Sequence, residues 1–181
     1  IRSFKTRSID DLSQFWAKNQ GSYNIVIFIS HGCDNGFCYG INKECFELNE
    51  FVETLNIEGV SEKLIISLAC NTGSEKFGNE LIKHNFCNTF IGSDSQIHGA
   101  IASLFCQTFI ANYIFEEKNI DLALEKGNCA IPGKDKFVLF RKNKNTKSAT
   151  SLLSNTSPTN NNHITSSIYV TPSVASTPLL E

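Results

Sequence analysis

The sequence predicts an α/β domain, a three-layer sandwich around a mostly parallel sheet, and three observations predict it. Two blocks of consecutive apolar, largely β-branched residues, Ile25-Val26-Ile27-Phe28-Ile29 and Leu64-Ile65-Ile66, lack the alternation of a half-exposed strand and so read as strands covered on both faces. Segments with apolar residues at helical spacing follow each block and supply the crossovers that parallel neighbours require. Strand and helix then alternate as far as Phe140.

Taken in order, residues 1–7 are too short and mixed to assign, although Ile1 to Phe4 could close a strand. Ser8 is an N-cap with Asp10 and Asp11 in the first turn, and Ile9, Leu12, Phe15 and Trp16 mark one face of a helix ending near Asn19. Phe15 and Trp16 read as core rather than as a ligand platform. After the first apolar block, residues 33 to 40 carry Asp34-Asn35-Gly36 turn chemistry and a short aromatic strand, which predicts a small hairpin. Leu48, Phe51, Val52 and Leu55 place a crossover helix from Glu47 to about Asn56. The second apolar block, residues 63 to 69, leads to Cys70-Asn71-Thr72-Gly73, and Ser74 caps a helix that runs toward His84. Cys87 to Ile91 is a third strand. A long apolar helix from about Ile97 to Phe115, a shorter one from Asn119 to about Lys126 and a last strand from Lys136 to Phe140 complete the domain.

Residues 1–141 are thus expected to be one domain, and 181 residues suffice for a core that needs no staples. Beginning at Ile1, the chain is expected to lack an upstream portion. Residues 142–181, rich in Asn, Ser, Thr and Pro, bury too little apolar surface to offset their ordering entropy and read as a disordered tail. Within that tail Ile168-Tyr169-Val170 is a small apolar island, and Asn155-Thr156-Ser157 fits a glycosylation acceptor by chance composition. A formal charge of −2 and a pI near 6.1 give no reason to expect nucleic acid or an anionic membrane as partner.

Seven cysteines do not make a disulfide scaffold in a chain of this size. The count is odd, and Cys87, Cys106 and Cys129 sit in apolar segments, where a reduced cysteine behaves as a small hydrophobe. The expectation is a reducing, cytoplasmic setting. Without a Cys-x-x-Cys pair or zinc-finger spacing, neither a structural metal nor another cofactor is expected.

Each of the two apolar blocks ends in a side chain able to do chemistry, His31 before Gly32 and Cys70 before Asn71. In an open parallel sheet, ligands bind beyond the carboxyl ends of the strands, and neighbouring strands lie about 5 Å apart. His31 and Cys70 would then share one crevice. A thiol becomes a strong nucleophile when a base takes its proton, and an imidazole, which titrates near about pH 6.5, can accept that proton and later pass it to a leaving amine. The helix N-terminus near Ser74 favours the thiolate. An oxyanion formed by attack on a carbonyl needs fixed donors, and the backbone amides of Gly32 and Cys70 are the candidates. Ser30 is a candidate orienter of the histidine. Cys33 and Cys38 compete for the nucleophile's role from a hairpin, and His84 and His98 compete for the base's from helix surfaces or loops.

The sequences Ile27-Phe28-Ile29-Ser30-His31-Gly32 and Ile65-Ile66-Ser67-Leu68-Ala69-Cys70 resemble the paired motifs of the clan CD cysteine peptidases, the caspase-like superfamily. Leu68-Ala69-Cys70-Asn71-Thr72-Gly73, with Phe90-Ile91-Gly92-Ser93 and the long helix after it, is most similar to the CHAT peptidases. The resemblance covers about residues 20 to 140. It implies a caspase-like fold and a cysteine endopeptidase with His31 as general base and Cys70 as nucleophile. It also implies a protein or peptide substrate, and a regulatory partner or upstream domain that holds the enzyme inactive. In relatives that cut after basic residues, an acidic side chain after the third strand lines the first specificity pocket. Asp94 stands at that place, which implies Arg or Lys before the cleaved bond; read without the resemblance, Asp94 is a helix cap or a solvated turn residue. The alternative function is a catalytically silent domain of the same fold acting as an interaction module.

Overall fold

In the computed structural model of the chain, the first apolar block becomes a strand, β2 (Ile25–Phe28), and the second becomes β6 (Lys63–Ser67). The structure describes residues 2–33, 36–39, 44–142 and 168–170. The expected turn at Asp34-Asn35, the acceptor pattern at Asn155 and the tail, apart from Lys142 and residues 168–170, lie outside them.

The remaining elements, in chain order, are β1 (Arg2–Phe4), α1 (Ile9–Asn19), β3 (His31–Cys33), β4 (Gly36–Tyr39), β5 (Glu44–Glu47) and α2 (Leu48–Leu55), then α3 (Glu75–Lys83), β7 (Cys87–Ser93), α4 (Gly99–Ile110), α5 (Ile120–Ala130), β8 (Phe137–Arg141) and β9 (Ile168–Val170). The helices begin where their caps predict. Ser8 accepts from the Asp11 amide and Ser74 from the Phe77 amide, interactions that each stabilise a helix start by about 1 kcal/mol. Past α4, a wider turn over Ala111–Phe115 carries the long apolar helix to its expected end.

The main sheet has the order β1-β9-β2-β6-β7-β8, parallel throughout except for the antiparallel pair β7–β8. The order β2-β6-β7 arises because α2 and α3 each return the chain to begin a parallel neighbour, while the two helices α4 and α5 together bring the chain back to place β8 antiparallel to β7 at the edge. A smaller antiparallel sheet, β3-β4-β5, is inserted between β2 and α2. The expected two-stranded hairpin is therefore three-stranded. Ile168–Val170, the island in the tail, pairs with both β1 and β2.

Side-chain alternation along buried strands divides the interior in two. Val26, Phe28, Ile65 and Phe90 point into one core with Leu12 and Trp16 of α1, Phe51 and Leu55 of α2, and Phe77 and Leu81 of α3. Ile27, Leu64, Ile66 and Ile91 point the other way, against Phe105 and Phe109 of α4 and Ala123 of α5. This is why the blocks show no polar alternation: both faces are covered. The Trp16 indole nitrogen donates to the Leu55 carbonyl at 2.8 Å, tying α1 to α2 and fixing Trp16 as core. No helix among the described residues is long and apolar enough to cross a membrane.

Candidate active site

The register of β2 on β6 pairs Phe28 with Ser67, and the ladder extends one step further through the Leu68 amide, which donates to the Phe28 carbonyl at 2.8 Å. His31 and Cys70 each lie three residues beyond that pair, so the two strands deliver them level with each other at the carboxyl edge. The contact between the two segments is made by backbone. A Cβ on Gly32 would strike the Cys70 carbonyl oxygen and would stand 2.8 Å from both the Cys70 carbonyl carbon and its amide nitrogen. Glycine at 32 is therefore required by the approach of the two chains, a stronger reason than turn geometry.

After Cys70 the chain turns sharply. Asn71 adopts a φ of 60°, in the left-handed region that asparagine tolerates, and its amide donates to the Ser95 carbonyl at 3.0 Å. Thr72 is buried. Its hydroxyl shares a 2.9 Å hydrogen bond with the Ser67 hydroxyl and donates to the Ala69 carbonyl at 3.0 Å. The Gly73 amide donates to the Ser93 carbonyl at 2.6 Å, and Gly73 packs on the backbone of Gly92 and Ser93. The turn after Cys70 is thus fastened to the end of β7 by main-chain bonds and braced internally by one threonine.

The Cys70 sulfur is partly buried. It accepts from the Ile97 amide at 3.4 Å and lies 3.7 Å from the Ile97 carbonyl oxygen, to which the thiol donates. Its hydrogen bonds go to Ile97 and not to the exposed His31 ring. Among the described residues the Cys70 amide has no hydrogen-bond acceptor, which suits one of the two expected oxyanion donors. The Ser30 hydroxyl donates to the His31 carbonyl at 3.1 Å, so it orients backbone and not the imidazole. The rival histidines have structural partners. The His98 ring nitrogen accepts from the Ala100 amide as the cap of α4, and the His84 ring lies 3.3 Å from Glu80 and stacks on Phe86.

Asp94 is exposed at the end of β7, and one carboxylate oxygen accepts the Lys136 amide at 3.1 Å. It does not cap α4. A second carboxylate, Asp135, accepts the Ser95 hydroxyl at 2.9 Å in the same loop cluster. Sequence does not single out Ser95, Ile97 or Asp135: the hold of Ser95 on Asn71 and of Ile97 on Cys70 runs through backbone, which leaves no side-chain signature, and the Ser95–Asp135 hydrogen bond joins residues 40 positions apart.

The cysteines depart from expectation in two ways. Cys33 and Cys45 form a disulfide, with their Cα atoms 6.5 Å apart, which corrects the expectation that the cysteines stay unpaired. The extra strand β5 is the reason. Gly36 lies opposite both Cys33 and Glu47, a Cβ there would strike the Phe46 carbonyl oxygen, and so β5 folds closely over β4. Cys129 is exposed on α5, not a core hydrophobe. Cys87 and Cys106 are buried as expected, and burial pushes their thiols up to about 12 and about 11.

A scan against protein-family models and a search of curated proteins each return no match to this chain.

Proposed function

We propose that the chain is a cysteine endopeptidase with a His31–Cys70 dyad, built on the three-layer, caspase-like sandwich and most similar to the CHAT peptidases. The observation that carries this reading is the contact of Gly32 with the Cys70 backbone, which brings the residue after His31 against Cys70 at the ends of two adjacent parallel strands. In the reaction, His31 takes the thiol proton as the Cys70 sulfur attacks the scissile carbonyl, while the amides of Gly32 and Cys70 hold the oxyanion. Collapse breaks the C–N bond. His31 passes its proton to the leaving amine, leaving a thioester on Cys70. Water, deprotonated by His31, then attacks the thioester, and the acid product departs as the thiol re-forms.

Asp94 and Asp135 put two carboxylates in the loops beyond β7, which supports a substrate with Arg or Lys before the cleaved bond. A free nucleophilic thiol fits a reducing, cytoplasmic site of action, and a regulatory partner or upstream domain is the expected means of control. No nucleic acid or membrane is part of this reading.

The second reading, a catalytically silent interaction domain, is favoured by one observation: the Cys70 sulfur bonds to Ile97 and not to His31. A peptidyl electrophile ending in Arg separates the two. Preferential modification of Cys70 that falls in His31→Ala supports the peptidase. Equal labelling of every accessible thiol, unchanged by that substitution, supports the silent domain.

A further inference from the structure

The three-stranded sheet places a group of thiols that the dyad does not use. Cys33, Cys38 and Cys45 come from three different strands, and their sulfur atoms all lie within 4.8 Å of one another. We propose that this cluster, once the Cys33–Cys45 disulfide is reduced, is a three-thiolate site for a soft divalent cation such as Zn2+, with the His31 ring, which lies outside the radius of the three sulfurs, turning in to supply the fourth ligand.

The strand register carries the proposal. Cys45 pairs with Cys38, and Cys38 pairs with His31, so the three lie in one row across the sheet on the same face. Cys33 is two residues beyond His31 on β3 and therefore shares that face. A tetrahedral zinc with Zn–S bonds of about 2.3 Å holds its sulfurs about 3.8 Å apart, a separation that fits within the radius of this group. A disulfide needs two cysteines; the third sulfur, on the middle strand and inside the same radius, is what a metal site adds. Soft thiolates with one imidazole select zinc over the hard cations.

The change of state balances as follows. A thiol reductant donates two electrons, its own thiols becoming a disulfide, and the Cys33–Cys45 bond becomes two thiols. The cation then displaces one proton from each of the three thiols and takes the imidazole of His31 as its neutral ligand. A metal held there keeps the His31 ring over the sheet and away from Cys70. This regulatory consequence rests on the peptidase reading; the binding does not.

The test is a cobalt titration of the full chain, reduced anaerobically and freed of reductant. One Co2+ per chain should bind, with thiolate-to-cobalt charge-transfer absorption and the visible bands of a tetrahedral ion. Cys38→Ser should weaken binding at least about tenfold, His31→Ala should alter the visible bands, and Cys70→Ser should change neither. Cys45→Ser serves as a second ligand variant, with circular dichroism checking that each chain is folded. Absence of the charge-transfer band in the reduced chain overturns the site. So does a band that survives both hairpin variants, and a visible spectrum unmoved by His31→Ala overturns the fourth ligand. The spectra require no turnover, so a chain that binds cobalt and cleaves nothing would refute the peptidase and leave the metal site standing.

Discussion

The most direct perturbation of the site is Gly32→Ala. The added methyl would strike the Cys70 carbonyl oxygen and stand 2.8 Å from two further backbone atoms of Cys70, none of which can rotate away. The strands must part, and overpacking of this kind costs about 1–3 kcal/mol. For a domain of this size that corresponds to a fall in melting temperature of roughly 3 to 10 °C. Turnover should suffer more than stability. Displacing one oxyanion donor lowers kcat by about 10²–10³-fold, and the shift moves both proposed donors relative to each other. The assay pairs thermal unfolding with cleavage of a fluorogenic peptide ending in Arg. Gly21→Ala is the control: a Cβ there meets nothing within 4 Å, and its melting temperature should stay within about 2 °C of the parent. If Gly32→Ala melts and cleaves like the parent, Gly32 does not touch the Cys70 backbone and the reasoning fails.

Other outcomes follow from the same geometry. Thr72→Val removes the threonine hydroxyl from the buried Ser67 hydroxyl, which keeps only the Ala69 amide, and should cost about 1–3 kcal/mol in denaturant unfolding, with a larger loss of Cys70 reactivity than the same destabilisation placed elsewhere. Lys63 is buried in β6, and desolvation lowers its pKa to about 8. Between pH 8 and its ordinary value of 10.5 the unfolded chain holds this proton and the folded chain does not, so stability should rise with pH across that window, and the rise should vanish in Lys63→Met. Alkylation of the native chain at neutral pH, followed by peptide mapping, should spare Cys87 and Cys106 and modify Cys129; early modification of Cys106 would contradict its burial under α4. Asp94→Ala should lower kcat/KM for peptides with Arg before the cleaved bond more than for neutral ones. Equal loss for both would reduce Asp94 to its hydrogen bond with the Lys136 amide.

The elements that sequence alone makes legible are those whose signal is local. Ser8 and Ser74 announce helix starts because a cap acts within four residues, and β2 and β6 announce themselves because burial on both faces removes polar alternation. The level placement of His31 and Cys70 was also readable, since one crossover helix makes parallel neighbours and both side chains follow their blocks by the same interval. What escaped depends on pairings that the local pattern does not announce. The Cys33–Cys45 bond needs β5, whose residues Glu44–Glu47 carry too short a pattern to separate from the start of α2. The insertion of Ile168–Val170 between β1 and β2 is a pairing of residues more than 140 positions apart, for which three apolar residues give no address. The hold of Ile97 on the Cys70 sulfur runs through main chain, which every residue shares.

Phe37 links these observations in energetic terms. Its backbone pairs with Gly32, while its ring is fully buried against Phe51, Phe77 and Phe28, at centroid distances of 4.5, 5.3 and 5.9 Å. The histidine arm is thus moored to one face of the main sheet by Phe37, with the partly buried Phe46 of β5 packed against the same core, whereas Cys70 packs on the other face, against the core beneath α4. Withdrawing both rings costs about 3–5 kcal/mol of burial, at or below the low end of the free energy of unfolding a whole domain. The small sheet can therefore open as a cooperative unit while β2, β6 and β7 stay closed, and its amides should exchange with solvent together. Such an opening carries His31 and Gly32 off Cys70 in one motion, so a binding partner that captures or seals this sheet would set the fraction of chains in which the two halves of the site meet.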